Sequence, residues 1–190
     1  QERIQVGLLA LAVCLATMSL QSCRYRDIPT KSYASRTERF KCEIPLDWEY
    51  INTDLKSDHL AIFSRDRVNE FGASILISLG EPGDRPEKLR DFELRLRGDD
   101  PDFSIDPVTQ VRVGKYQGLM LSSVRSEQNF ASHRPGPVPP PVLYRETHIW
   151  FNTPYDAYRI NFGAPVVLYE KYKPDFERLL KTFQWTGSQG

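Results

Sequence analysis

The sequence predicts an α+β domain, and three observations carry that expectation. Phe40, Cys42 and Ile44 alternate with Arg39, Lys41 and Glu43, the period-2 pattern of a half-buried strand. Ala73, Ile75, Ile77 and Leu79 repeat that period on one face of a second stretch. Near the end, Phe176, Leu179, Leu180 and Phe183 recur at helical spacing and form an apolar stripe.

Taken in order, the first strand ends at Pro45 and Asp47, with Trp48 following. Leu60–Ser64 and Ala73–Leu79 are the next strands. Glu81-Pro82-Gly83-Asp84 reads as a turn. Asp84 is placed to cap a helix that tolerates Pro86 in its first turn, carries Leu89, Phe92 and Leu96, and stops at Gly98. Val111 and Val113 precede a turn from Gly114 to Gly118 and a strand from Leu119 to about Ser126. Gln128 to Pro141 is a loop rich in proline, and Val142–Phe151 is a long strand. Asn152-Thr153-Pro154-Tyr155-Asp156 turns the chain back into Tyr158, Ile160 and Phe162. Pro174 is expected to start the main part of the last helix.

The beginning of the chain reads as an address. Val6 to Leu20 is apolar and uncharged, too short for the roughly 20 residues that cross a bilayer as a helix. A run of about 7–15 apolar residues before a small-residue cleavage site suits a secretory signal. Leu20-Gln21-Ser22-Cys23 resembles the lipobox of bacterial lipoproteins, where cleavage precedes a cysteine carrying a diacylglyceryl group. That resemblance implies residues 1–22 as signal peptide, Cys23 as the lipidation site, the membrane as a partner through that lipid, and a place in the bacterial cell envelope, outside the cytoplasm. Several acyl chains on one residue give stable anchoring. Residues 23–37, with Arg24, Arg26, Lys31 and Arg36, read as a tether, either a solvated linker or a segment drawn to anionic head groups. The domain is expected over 38–185, with 186–190 as a tail.

Charge is balanced, with 25 basic against 25 acidic residues among 190, so no overall basic character points to nucleic acid. The cysteines are Cys14, Cys23 and Cys42; with the first in the signal and the second lipidated, Cys42 has no intramolecular partner. Its phase faces the core, where a thiol acts as a small hydrophobe rather than a nucleophile.

Candidate chemistry is sparse. His59, His133 and His148 are scattered, with no metal-ligand spacing, and neither a Gly-x-Ser-x-Gly elbow nor a phosphate loop is present. Asp100, Asp102, Ser104 and Asp106 match positions 1, 3, 5 and 7 of a calcium loop, but Ile105 replaces the required Gly and Val111 the bidentate Glu. The stretch reads as a polar turn after a helix. Glu146 and His148 share a strand face with Tyr144 and Trp150. Such a carboxylate orients an imidazole and raises its pKa, yet an exposed cross-strand pair is the simpler reading. Tyr144, Trp150, Tyr155 and Tyr158 either line an apolar cavity or close the core between sheet and helices. His133 to Pro141 is expected to be extended and exposed, as a stiff connector or a partner site. No catalytic, cofactor or metal residue is assigned.

The order of elements resembles the PsbP-like fold, shared by photosystem PsbP proteins and bacterial envelope proteins of the DcrB type. Phe40-Lys-Cys-Glu-Ile-Pro-Leu-Asp-Trp48, Val111-Arg-Val-Gly-Lys-Tyr-Gln-Gly118, Tyr158-Arg-Ile-Asn-Phe162 and Phe176-Glu-Arg-Leu-Leu-Lys-Thr-Phe183 carry the resemblance. It implies an antiparallel sheet flanked by helices, and most bacterial members lack an assigned reaction. The expected function is that of a non-enzymatic envelope lipoprotein contacting another envelope protein, with a carrier or sensor of a small apolar ligand as the alternative.

Overall fold

Period-2 alternation becomes two antiparallel sheets. The computed structural model describes residues 29–35, 37, 39–51, 59–80, 85–89, 91, 95, 103–128 and 140–187. Among them the strands are β1 (Thr30–Ala34), β2 (Phe40–Pro45), β3 (Glu49–Ile51), β4 (Leu60–Val68), β5 (Phe71–Leu79), β6 (Ser104–Ile105), β7 (Thr109–Val113), β8 (Tyr116–Glu127), β9 (Val142–Asn152), β10 (Ala157–Pro165) and β11 (Gln184–Trp185). The helix α1 (Val166–Thr182) follows β10 directly. The small sheet has the order β1-β2-β11; the large one runs β3-β4-β5-β10-β9-β8-β6, with β7 also on β8.

Registers set side chains in rows across the large sheet. On its inner face, Leu60, Ile77, Ile160, Ile149 and Met120 align strand by strand. The next row is Ile62, Ile75, Phe162, Thr147 and Ser122. α1 and the apolar face of β2 cover this surface, and Phe40, Cys42, Ile44, Phe176, Leu179 and Phe183 join one core with it. Phe183 stacks on Phe40 with centroids 5.4 Å apart and meets Phe151 edge-on at 5.2 Å. All four residues of the expected apolar stripe are buried.

Several boundaries differ from expectation. α1 does not start at Pro174; it begins at Val166 and carries Pro174 inside. Proline removes the hydrogen bond to the carbonyl four residues back, but Tyr169 and Tyr172, both buried in that earlier turn, hold it against the sheet. Phe183 is the C-cap rather than a helical residue. Thr30–Ala34, assigned above to the tether, pair in register with Pro45–Lys41 as β1. Tyr33 packs on Phe40 at 6.0 Å, so the chain gains both a ladder and apolar burial there. β4 continues past Ser64 to Val68 through a register shift between Phe63 and Arg67. Buried Ser64 accepts the Ala73 N–H at 2.9 Å and donates to the Asp66 carbonyl at 3.2 Å, bonding where the ladder breaks. The β7–β8 turn is shorter than expected, because Tyr116 and Gln117 already pair with Val113 and Arg112.

On the outer face, Leu89, Leu121 and Trp150 form a second buried cluster with Ile105, Val108 and Leu119 packed against it. Leu89 follows a short 3-10 turn at Pro86–Lys88. Asp84, Phe92, Leu96 and Gly98 of the expected helix lie outside the described residues, as do Val6–Leu20, Cys23, His133 and the proline run up to 139. Among the described residues no helix is long and apolar enough to cross a membrane.

Candidate functional site

The second inner-face row shrinks toward β8. Where Phe162 stands on β10, its neighbours across the row are Thr147 on β9 and Ser122 on β8. Phe162 seats α1 tightly, with its ring 4.8 Å from both Tyr169 and Phe176. The smaller side chains beside it leave space beneath the helix. That space is a groove of about 520 Å³ between α1 and β7–β9, within the range of small-molecule sites.

The groove has an apolar floor and a charged mouth. Val111, Met120, Phe176 and Leu180 supply the apolar surface. Asp106, Arg145, Glu170, Lys173 and Glu177 supply the charges. Arg145 Nη2 donates to Asp106 at 2.5 Å while its guanidinium lies over the Tyr169 ring at 5.0 Å, so one cation closes the end of the groove by an ion pair and a cation–π contact. Beneath it, Ser122 Oγ and Thr147 Oγ1 are 2.8 Å apart, and Thr147 Oγ1 lies 2.7 Å from the Tyr169 hydroxyl. These three hydroxyls form a buried polar line in an otherwise apolar wall. The lining contains no histidine or cysteine.

The residues singled out from sequence fall elsewhere. Cys42 is 3% exposed, facing the core as its phase requires. Burial, with the Glu43 charge adding to it, pushes its thiol up to about 12, which leaves it protonated and unreactive. Glu146 and His148 do come together on the outer face, with Nε2 3.6 Å from Oε2, but His148 is buried rather than exposed. Its Nδ1 meets Asn161 Oδ1 at 3.1 Å, and Glu146 also pairs with Arg125 at 3.2 Å. Burial lowers the imidazole pKa and outweighs the opposing pull of Glu146 and Asn161, the reverse of the rise a neighbouring carboxylate alone gives. The strand order puts Leu121 and Asn161 on either side of His148, closing it off.

The four aromatics do not share a cavity. Trp150 belongs to the outer cluster, and Tyr158 is buried in the main core. Tyr144 lies on the outer face against Gly163, where a Cβ would come within 2.6 Å of its ring. Tyr155 is 79% exposed and stacks on Trp185 at 5.1 Å. Of the calcium-loop positions, Ser104 pairs in β6 with Val124 and Asp106 is held by Arg145; Asp100 and Asp102 lie outside the described residues.

Sequence reading passed over Ser122, Thr147, Arg145 and Tyr169. Their signal was present: Thr147 shares the core phase of Ile149 and Phe151, and Ser122 that of Met120. Small hydroxyl side chains at core-phase positions mark either a buried polar contact or a gap.

Known structures place the architecture. A structure from Bacteroides thetaiotaomicron superposes with a TM-score of 0.52 at 16% identity over 84% of this chain, which spans 50% of that one. LpqN, involved in cell envelope biogenesis of Mycobacterium tuberculosis, gives 0.53 at 12% identity over 86% of this chain and 94% of its own. Cyanobacterial PsbP from Synechocystis gives 0.50 at 10% identity over 88% and 99%. The fold is PsbP-like. No protein-family model matches the sequence, and no curated protein matches it. At these identities the likeness is one of architecture, an antiparallel α+β domain, as the sequence predicts.

Proposed function

We propose that this chain is an envelope lipoprotein, held by lipid on Cys23, whose domain carries a small apolar ligand without transforming it. The groove under α1 carries this reading: an apolar floor, a charged mouth and three buried hydroxyl groups. Structural likeness to an envelope-biogenesis protein supports the location. The apolar run and Leu20-Gln21-Ser22-Cys23 support the anchor, with 1–22 as signal and the segment before β1 as a short tether. Native mass spectrometry of the protein from its own host tests both parts. The expected result is a diacylglyceryl mass on Cys23 together with a non-covalent small molecule released on unfolding. A bare Cys23 sinks the anchor, and a protein without any bound small molecule sinks the carrier.

A second reading, contact with another envelope protein, is favoured by the exposed Tyr155 ring stacked on Trp185 at the β9–β10 turn. An exposed aromatic fixed by a neighbour docks at low entropic cost. A photo-crosslinking residue at Tyr155 in intact cells is expected to capture a specific protein; capture no greater than from exposed Lys115 ends that reading.

A further inference from the structure

We infer that the groove takes a neutral amphiphile: an apolar chain carrying a carbonyl acceptor, as in an acyl ester, with no free carboxylate. This rests on the carrier reading above and specifies its ligand.

The argument is an inventory of hydrogens. Ser122, Thr147 and Tyr169 line the groove and are all more than nine-tenths buried. Each hydroxyl carries one donor hydrogen. Three hydroxyls make two contacts, Ser122 to Thr147 and Thr147 to Tyr169. Whichever way those two bonds run, one hydrogen is left without an acceptor among the described residues. A buried donor left unpaired costs about 1–3 kcal/mol, and a ligand acceptor in the groove removes that cost. The apolar surface of Val111, Met120, Phe176 and Leu180 fits a hydrocarbon body.

Charge decides against an acid. The mouth carries three carboxylates, Asp106, Glu170 and Glu177, against the two cations Arg145 and Lys173. Arg145 is committed to Asp106 through Nη2 and to the Tyr169 face, and its buried Nε is a donor without a partner among the described residues. Lys173 stands 4.0 Å from Glu170 and from Glu177. A free carboxylate entering here meets a mouth of net negative charge, whereas an ester carbonyl meets two donors, the spare hydroxyl hydrogen and Arg145 Nε, without that repulsion.

The test compares monolauroylglycerol with 1-O-dodecylglycerol, which differ at the carbonyl, and with laurate, all below micellar concentrations. The sequence has two methionines, Met18 and Met120, and Met120 lines the groove. Methyl-labelled methionine therefore reports occupancy there by NMR. The ester is expected to shift the Met120 methyl and bind about tenfold more tightly than the ether and than laurate, about 1.4 kcal/mol. In the shape-conserving variant Ser122→Ala/Thr147→Val/Tyr169→Phe, ester and ether are expected to bind equally. Equal affinities in the native protein, measured without any variant, overturn the inference while leaving a carrier standing. Tighter laurate overturns the neutral class. If none of the three shifts Met120, the carrier reading falls with it.

Discussion

Gly114→Ala tests how the β7–β8 turn holds the end of α1. Gly114 has φ of +55°, where an L side chain costs about 1–2 kcal/mol. A Cβ there would overlap the Phe183 carbonyl oxygen, a backbone atom that cannot rotate away. The Gly114 N–H donates to the Leu180 carbonyl at 2.7 Å, satisfying one of the groups that a helix leaves open at its C-terminal end. Displacing the turn loses that bond, about 0.5–1.5 kcal/mol net. Together the substitution should destabilise the protein by roughly 2–3 kcal/mol. For a domain of this size that lowers the melting temperature by about 4–12 °C. Thermal unfolding followed by circular dichroism reads it directly. Gly114→Asn separates the two causes: asparagine tolerates the left-handed region better but still carries the Cβ, so it should recover only part of the loss. An alanine variant that melts within a degree of the parent, or an asparagine variant with full stability, refutes the turn as the clasp on α1.

Three further outcomes are expected. Cys42 should resist iodoacetamide in the folded protein at pH 8 and react on unfolding. Because its thiol is raised from 9.0 to about 12, the folded state holds its proton more tightly; stability is full below about pH 9 and declines above it. Cys42→Ala should flatten that alkaline decline, and rapid labelling of the native protein would count against burial as the cause. His148, lowered by burial, works in the opposite direction: its contribution is full above pH 6.5, the ordinary value, and is lost as the pH falls through the depressed one. Denaturant unfolding between pH 7 and 5 should show a smaller acid loss in His148→Gln, and an unchanged slope would rule this out. Glu70 has φ of +75° beside Asn69 at +48° in the β4–β5 turn, a geometry that hairpins usually give to Asn-Gly. Glu70→Gly should therefore stabilise the protein by about 0.5–1 kcal/mol, and a fall in urea midpoint would show that the turn tolerates the glutamate without strain.

The sequence announced the strands of the core well because both large and small residues kept their phase. Phe40, Cys42 and Ile44 alternate cleanly, and the observed β2 covers Phe40–Pro45. Tyr158, Ile160 and Phe162 do so on β10. Boundaries slipped where tertiary contacts outweighed a local signal. Pro174 is a strong start signal, but two buried tyrosines extend α1 before it. Residues 30–34 lack a strong hydrophobic period, and the neighbouring ladder of β2 recruits them. His148 illustrates a limit of face assignment: period 2 placed it correctly beside Glu146, but not as buried, because the neighbours that flank it, Leu121 on β8 and Asn161 on β10, come from other strands.

The groove follows from the same register that makes the core. Across one row, side chains go from Ile75 and Phe162 to Thr147 and Ser122, while α1 lies above them. A helix can touch only the tallest members of such a row. It is held at the Phe162 end by Tyr169 and Phe176, at its C-terminus by the Gly114 N–H, and along its flank by Asp66, which accepts from Lys171 and from Tyr172 at 2.7 Å. With three attachments the helix cannot settle onto Ser122 without breaking one of them. Filling the row is therefore the sharpest perturbation of the site: Ser122→Leu places an apolar side chain where the helix cannot retreat. If the gap is open in solution, that variant gains apolar contact and keeps its stability within about 1 kcal/mol; if the gap is already closed by relaxation, overpacking costs about 1–3 kcal/mol. Urea unfolding distinguishes the two, and the second result would mean that the groove is not a standing feature of the fold.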